Sequence, residues 1–220
     1  MDDRIKIICG HYGCGKTNLS LNLALAEREK GRGVTIVDLD IVNQYFRSSD
    51  YKELLEGNGI KLVCSKSAGT NVDSPALPAE IFAAFDGNDS VIIDVGGDDA
   101  GAIALGRFAP RVINEGYKMY YVINKYRKLI ETPQLAAELL SEIEAACRLK
   151  ACAVINNSHL CDLTTPQTII DGASYAKQTA EYIGLPLIMT TAQRKFIPSL
   201  EGKVENLYPI DLYVKLPWKE

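Results

Sequence analysis

The chain has 220 residues, is 47% hydrophobic and carries a formal net charge of -4. That length and apolar content suffice to bury the core of one sheet-based unit, so residues 1–220 are read as a single domain. The acidic balance excludes a general attraction to nucleic acid or anionic lipid, and any polyanion must be recognised locally. Six cysteines (Cys9, Cys14, Cys64, Cys147, Cys152 and Cys161) stand without Cys-x-x-Cys or Cys-x-x-His pairs. Neither a zinc ribbon nor a thioredoxin-like redox centre is therefore expected, and most of these thiols read as small buried apolar groups.

In chain order, the first apolar run is Ile5–Cys9. It is far too short for a signal-peptide core or a membrane span, so a cytoplasmic protein with reduced thiols is expected. Next comes Gly10-His11-Tyr12-Gly13-Cys14-Gly15-Lys16-Thr17, followed by residues 17–30 with Leu19, Leu23 and Ala26 on one helical face. Strand, Gly-rich loop, Lys-Thr and helix are the context a Walker A match requires. The glycines let backbone N–H groups turn inward around phosphate, and the helix presents its positive end. Lys16 is then the point charge for the β and γ phosphates, Thr17 the hydroxyl for Mg²⁺, and residues 10–17 with the adjacent Asn18 form the nucleotide-binding set. Cys14, near a helix N-terminus where thiolate is favoured, reads either as an oxidant-sensitive thiol or as a small loop residue.

A second apolar run, 34–37, delivers Asp38-Leu39-Asp40. If the strand continues, Asp38 and Asp40 point the same way, one holding the metal's water shell and the other orienting an attacking water. A solvated acidic turn is the plain alternative. Arg47 reads as a surface residue. After the run 60–63 comes a Pro-containing stretch, 66–78, read as a loop on the ligand side. Run 91–93 ends in Asp94-Val95-Gly96-Gly97. It reads as a Walker B strand, with Asp94 on the Mg²⁺ water shell and Gly96 or Gly97 admitting a backbone N–H to the γ-phosphate. Residues 96–107 resist assignment beyond a loop, although Asp98 and Asp99 suit a helix cap.

Further runs at 119–123, 151–155 and 187–189, with helical spacing at 79–85, 132–150 and 167–183, complete an alternation of strand and helix. Strands apolar on both faces imply a mostly parallel sheet with helices on each side, that is, an α/β fold of three α/β/α layers with its ligands at the carboxyl ends of the strands. Asn124-Lys125-Tyr126-Arg127 begins like a guanine-reading Asn-Lys-x-Asp but ends in an arginine, which offers only donors, and this disfavours GTP. Asn156, in Asn156-Asn157-Ser158-His159, stands where the family resemblance set out below implies an adenine-contacting asparagine, and its amide can pair with both edges of that base. An Asn-rich turn ending the strand accounts for it equally well. Residues 190–194 are a further candidate lining for the base, and His159 reads as structural.

Together the loop before Lys16, the Asp38-x-Asp40 pair and Asp94-x-Gly96-Gly97 resemble the SIMIBI-class P-loop NTPases, which include the ParA/MinD ATPases, the nitrogenase iron protein and the CobQ/CobB-type domains. The resemblance lies in the first hundred residues or so. It implies the P-loop NTPase fold, ATP and Mg²⁺ as ligands, and a slow ATP hydrolase switching the affinity for a protein partner, with a homodimer left open. It also leaves room for an ATP-dependent ligase of the CobQ/CobB or dethiobiotin-synthetase type, its small carboxylate substrate held by residues 67–75 and 98–107, and for an ATPase of metallocentre assembly. The sequence departs from the family at His11, where many members carry a signature lysine, and at Tyr12, where glycine is usual. Residues 207–220, with Pro209 and Pro217, do not read as a membrane-binding amphipathic helix, and no basic surface for DNA is apparent.

Overall fold

The computed structural model describes residues 4–40, 51–64 and 79–214. Residues 41–50 and 65–78, which include Arg47 and the whole of the loop expected at 66–78, lie outside the described residues. The first half runs β1 (Ile5–Cys9), α1 (Lys16–Glu29), β2 (Val34–Leu39), α2 (Lys52–Gly57), β3 (Lys61–Cys64), α3 (Ala79–Asp86), β4 (Ser90–Val95), α4 (Asp99–Gly106) and α5 (Ala109–Glu115). The second half continues β5 (Lys118–Ile123), α6 (Pro133–Cys147), β6 (Ala153–Asn156), α7 (Pro166–Ile183), β7 (Leu187–Gln193), α8 (Ile197–Leu200) and β8 (Leu207–Ile210).

Among the described residues every strand pairing is parallel, and eight strands lie in the order β3-β2-β4-β1-β5-β6-β7-β8. Every residue of β1, β2 and β4 is buried, as strands covered on both faces require. Register separates the two faces. Lys6 of β1 reaches Glu27 of α1, so even-numbered β1 residues face α1. Tyr121, in register with Cys9, donates its hydroxyl to the Ala136 carbonyl of α6 on the other face. The expected α/β/α layering is therefore the observed one. β1 lies between β4 and β5, where the winding of the sheet reverses, and a crevice opens at such a point beyond the strand ends. That crevice is where residues 10–15 emerge.

Local chemistry sets the helix starts. Asp98 caps α4 by accepting from Gly101 N, Thr132 caps α6 ahead of Pro133, and Thr165 with Thr168 forms a capping box for α7. Three stretches carry more regular structure than the sequence reading assigned them. Most of the stretch 96–107 is the helix α4, because Asp98 supplies a cap and five of the helix's eight residues are buried. Residues 207–210 form the edge strand β8 although they include Pro209, which an edge strand tolerates. Residues 190–193, read as a candidate lining for the base, lie within β7, so the strand expected at 187–189 runs four residues further.

At the amino end of the sheet, Glu27 is 3% exposed and contacts the cations of Lys6, Lys30 and Arg32. Burial alone would raise its pKa, but hydrogen bonds from Lys30 and Arg32 and the charge of Lys6 hold it below the usual value of 4.5. Because the carboxylate is depressed in the folded state, its contribution is present above that value and fades as the pH falls below it. Glu27→Gln is expected to cost about 3 kcal/mol at pH 7, typical of breaking a buried ion pair, and to flatten the acid limb of stability against pH. Urea unfolding at pH 7 and pH 4 measures both.

Candidate functional site

The loop 10–15 carries the chain from the buried end of β1 to α1. Gly15, at φ 77°, provides the left-handed turn into the helix, and a side chain there would run into the Asn157 amide. Among the described residues no side-chain cap bond closes the start of α1, and its first turn holds no acidic residue. A helix start in this condition favours an anion. Lys16, 7% exposed, donates through Nζ to the His11 carbonyl at 3.1 Å, so its ammonium is held at the loop. Thr17 follows it on the first turn of α1.

Two carboxylates arrive on neighbouring strands. Asp38 and Asp94 are in register, and Asp94 is also in register with Ile8, so both project to the α1 side of the sheet. They are 4% and 1% exposed. β2 ends at Leu39, and the Asp40 N–H turns back onto Asp38 Oδ1 at 2.9 Å, so the pair does not extend as a continued strand. Asp40 instead brings its carboxylate beside Gly96, 3.3 Å from where a Cβ on that glycine would lie. Gly97 makes the tightest approach to the loop. A Cβ there would stand 2.5 Å from Tyr12 N and 3.0 Å from Lys16 Nζ, so the turn after β4 rests directly against the loop after β1. The hydroxyl of Thr17 with the carboxylates of Asp38 and Asp94 is a hard-oxygen set suited to Mg²⁺, which commonly keeps several waters and takes its remaining ligands from phosphate.

From the other side, the segments after β5 and β6 hold the loop. Arg127 Nε donates to Gly13 O at 2.8 Å and Asn157 Nδ2 to Cys14 O at 2.6 Å. Thr191 donates to Asn157 Oδ1. Asn124 joins the two segments, accepting from Tyr126 N and His159 N and donating to His159 O. These contacts were not expected from the sequence. The one available signal was that the residues just past two adjacent strand ends must converge on the crevice.

Two of the binding residues expected from the sequence take other roles. Asn156 is 1% exposed, and its Oδ1 accepts from Ser158 N and Oγ, so it closes the turn after β6 and is not presented to a base. Asn18 donates to Asp211 O and accepts from Tyr213 N and Val214 N, fastening the segment after β8 to α1 with the help of Asn22. Position in the fold decides both cases: one amide faces the core, the other a neighbouring chain segment.

Burial also settles the titratable groups. The Cys14 thiol is wholly buried and pushed up to about 11, against the pull of Lys16 and Arg127, so it stays protonated and the oxidant-sensitive reading does not hold. Burial, and then the charge of Arg127, pushes His159 down to about 4. Its Nδ1 accepts from Cys161 N, so the neutral ring carries its proton on Nε2, which lies near Gly15. His11 is likewise lowered by burial, outweighing its bond to Tyr12 O, so position 11 holds a neutral imidazole at pH 7.

No family model matches the chain, and no curated protein does. Among solved structures, the cell division protein FtsY of Thermotoga maritima superposes with a TM-score of 0.59 and 18% identity over 95% of this chain and 65% of its own. The signal recognition particle 54 kDa protein of Aeropyrum pernix K1, in complex with GDP, gives 0.55 and 18% over 85% of this chain and 41% of its own. FtsY of Mycoplasma mycoides gives 0.54 and 16% over 84% of this chain and 59% of its own. The chain thus spans less than two thirds of each of these proteins. The likeness defines the fold, a P-loop NTPase fold on one parallel sheet. Within it, residues 10–15 follow β1, which lies between β4 and β5.

Proposed function

We propose that the protein binds ATP with Mg²⁺ at residues 10–17, hydrolyses it slowly, and acts as a nucleotide switch for a protein partner in the cytoplasm. One observation carries the reading: an uncapped helix start, an anchored lysine and the Gly97 turn meet at one point beside two buried carboxylates. Lys16 and the loop N–H groups bind the β and γ phosphates, while Thr17, Asp38 and Asp94 hold Mg²⁺, which when bound neutralises phosphate charge. Asp40, beside Gly96, orients the water whose oxygen attacks the γ-phosphorus as the bond to the β-phosphate oxygen breaks, leaving ADP and phosphate. The Gly97 N–H reports whether the γ-phosphate is present, so its loss loosens the β4 turn and changes the surface offered to a partner.

Adenine is favoured over guanine because the position a guanine-reading carboxylate would occupy is Arg127, and that side chain is engaged with Gly13 O. No described helix is long and apolar enough to cross a membrane. A ligase pocket walled by residues 98–107 is less well supported, since most of that stretch is helical.

Calorimetry with ATP and GTP in the presence of Mg²⁺, with phosphate release and molecular mass followed on the same samples, tests the proposal. We expect one ATP per chain, slow turnover without a second substrate, and weaker GTP binding. Folded protein that binds neither nucleotide sinks the reading, and preference for GTP overturns the choice of base.

A further inference from the structure

The segment Asn124–Arg127 starts like a base-reading motif, yet its last residue is turned the other way. The Arg127 N–H bonds to Asn124 O at 3.1 Å, closing a turn, and the side chain then runs to the phosphate loop. A Cβ on Gly13 would lie 3.0 Å from the guanidinium carbon, so the planar group rests on the loop at a position where only glycine leaves it room. Of its five N–H donors, Nε alone is used in the described structure, and among the described residues no carboxylate pairs with Arg127. A half-buried guanidinium without an acidic partner, packed on an anion-binding loop, has its remaining donors free for an anion.

The scaffold behind it is stiff. Asn124 is bonded on both sides of its amide, and the Lys125 N–H donates to Ser158 Oγ at 3.0 Å, so the turn is fixed to the segment after β6 before any ligand arrives. The charge of Arg127 is felt across the loop, where it adds to the burial that lowers His159, helps lower His11 and partly offsets the burial that raises Cys14.

We infer that Arg127 is a phosphate-binding residue supplied from within the chain, a second fixed cation that closes on the bound nucleotide from the side opposite Gly97. This rests on the proposed nucleotide site and adds to it that the segment after β5 reads phosphate and not base. The neutral His11 leaves the described loop with Lys16 as its own cation, and Arg127 supplies the other.

The test compares adenosine, AMP, ADP and ATP as calorimetric ligands of the wild type, Arg127→Lys and Arg127→Gln, with the melting temperature of each nucleotide-free protein as a check on folding. Loss of a charge-assisted contact predicts that Arg127→Gln weakens ATP and ADP by about 10- to 100-fold while leaving adenosine within twofold. Arg127→Lys, which keeps the charge but not the planar fork, is expected to recover part of that loss. If all four ligands weaken equally in Arg127→Gln, the residue only braces the loop and the inference fails. It fails also if ATP binding is unchanged in that variant. A wild type that binds no nucleotide overturns the underlying nucleotide site, a result distinct from either of these.

Discussion

Lys16→Ala is expected to lower ATP affinity by about 100-fold or more, since two charge-assisted contacts to phosphate oxygens, each contributing about 1.5–3 kcal/mol, are lost with the ammonium. In the nucleotide-free protein the same group makes one hydrogen bond, to the His11 carbonyl, and sits at the start of a 14-residue helix packed on the sheet. The cost to folding should therefore be small, about 1 kcal/mol, and the variant should melt within a few degrees of the wild type. The contrast between a large binding loss and a small stability loss marks a ligand-binding lysine. Calorimetry with ATP and Mg²⁺ beside a thermal melt measures both. Affinity within threefold of the wild type would remove Lys16 from the site.

The second large effect is expected at Gly97. Its backbone does not lie in the left-handed region, so alanine there carries no conformational strain and acts only through its added methyl group. That group would stand 2.5 Å from Tyr12 N and 2.6 Å from Tyr12 Cα, both backbone atoms that cannot rotate away. Either the β4 turn or the phosphate loop must move. We expect Gly97→Ala to cost about 1–3 kcal/mol of stability, the range for inserting a methyl group into packed structure, and to abolish ATP binding and turnover together. Gly57→Ala is the control, because nothing lies within 4 Å of a Cβ at that helix end. It should fall within about 0.5 kcal/mol of the wild type and bind normally. Normal ATP binding by Gly97→Ala would show that the two loops are not coupled.

How far the site was legible depended on how local its causes were. The positions of the loop 10–15 after β1, of Lys16 and Thr17 at the start of α1 and of Asp94 near the end of β4 could be read because each occupies a set place relative to a strand end that the sequence itself marks. Asp38 was legible for the same reason, but the turn of Asp40 back onto Asp38 Oδ1 was not, since it depends on where β2 stops pairing. The start of α4 was legible in the cap expected at Asp98, but its extent was not, because residues 100–106 are apolar with little sidedness and periodicity left no trace. The strand β8 was missed because a proline in a four-residue run reads as a break until an edge position is known to accept it.

The sequence by itself determined the alternation of strand and helix, the parallel sheet and the loop at the first strand, because burial on both faces and phosphate chemistry each leave patterns within a few neighbouring residues. Only the tertiary structure decided what converges on that loop. The order β4-β1-β5 sets Gly97 on one side and Arg127 on the other, although 81 and 114 residues separate them from their contacts at Lys16 and Gly13. It also turned Asn156 into the core and gave Asn18 to the segment after β8. An amide or a guanidinium is chemically fit for several partners, and which one it meets is fixed by packing between segments distant in the chain.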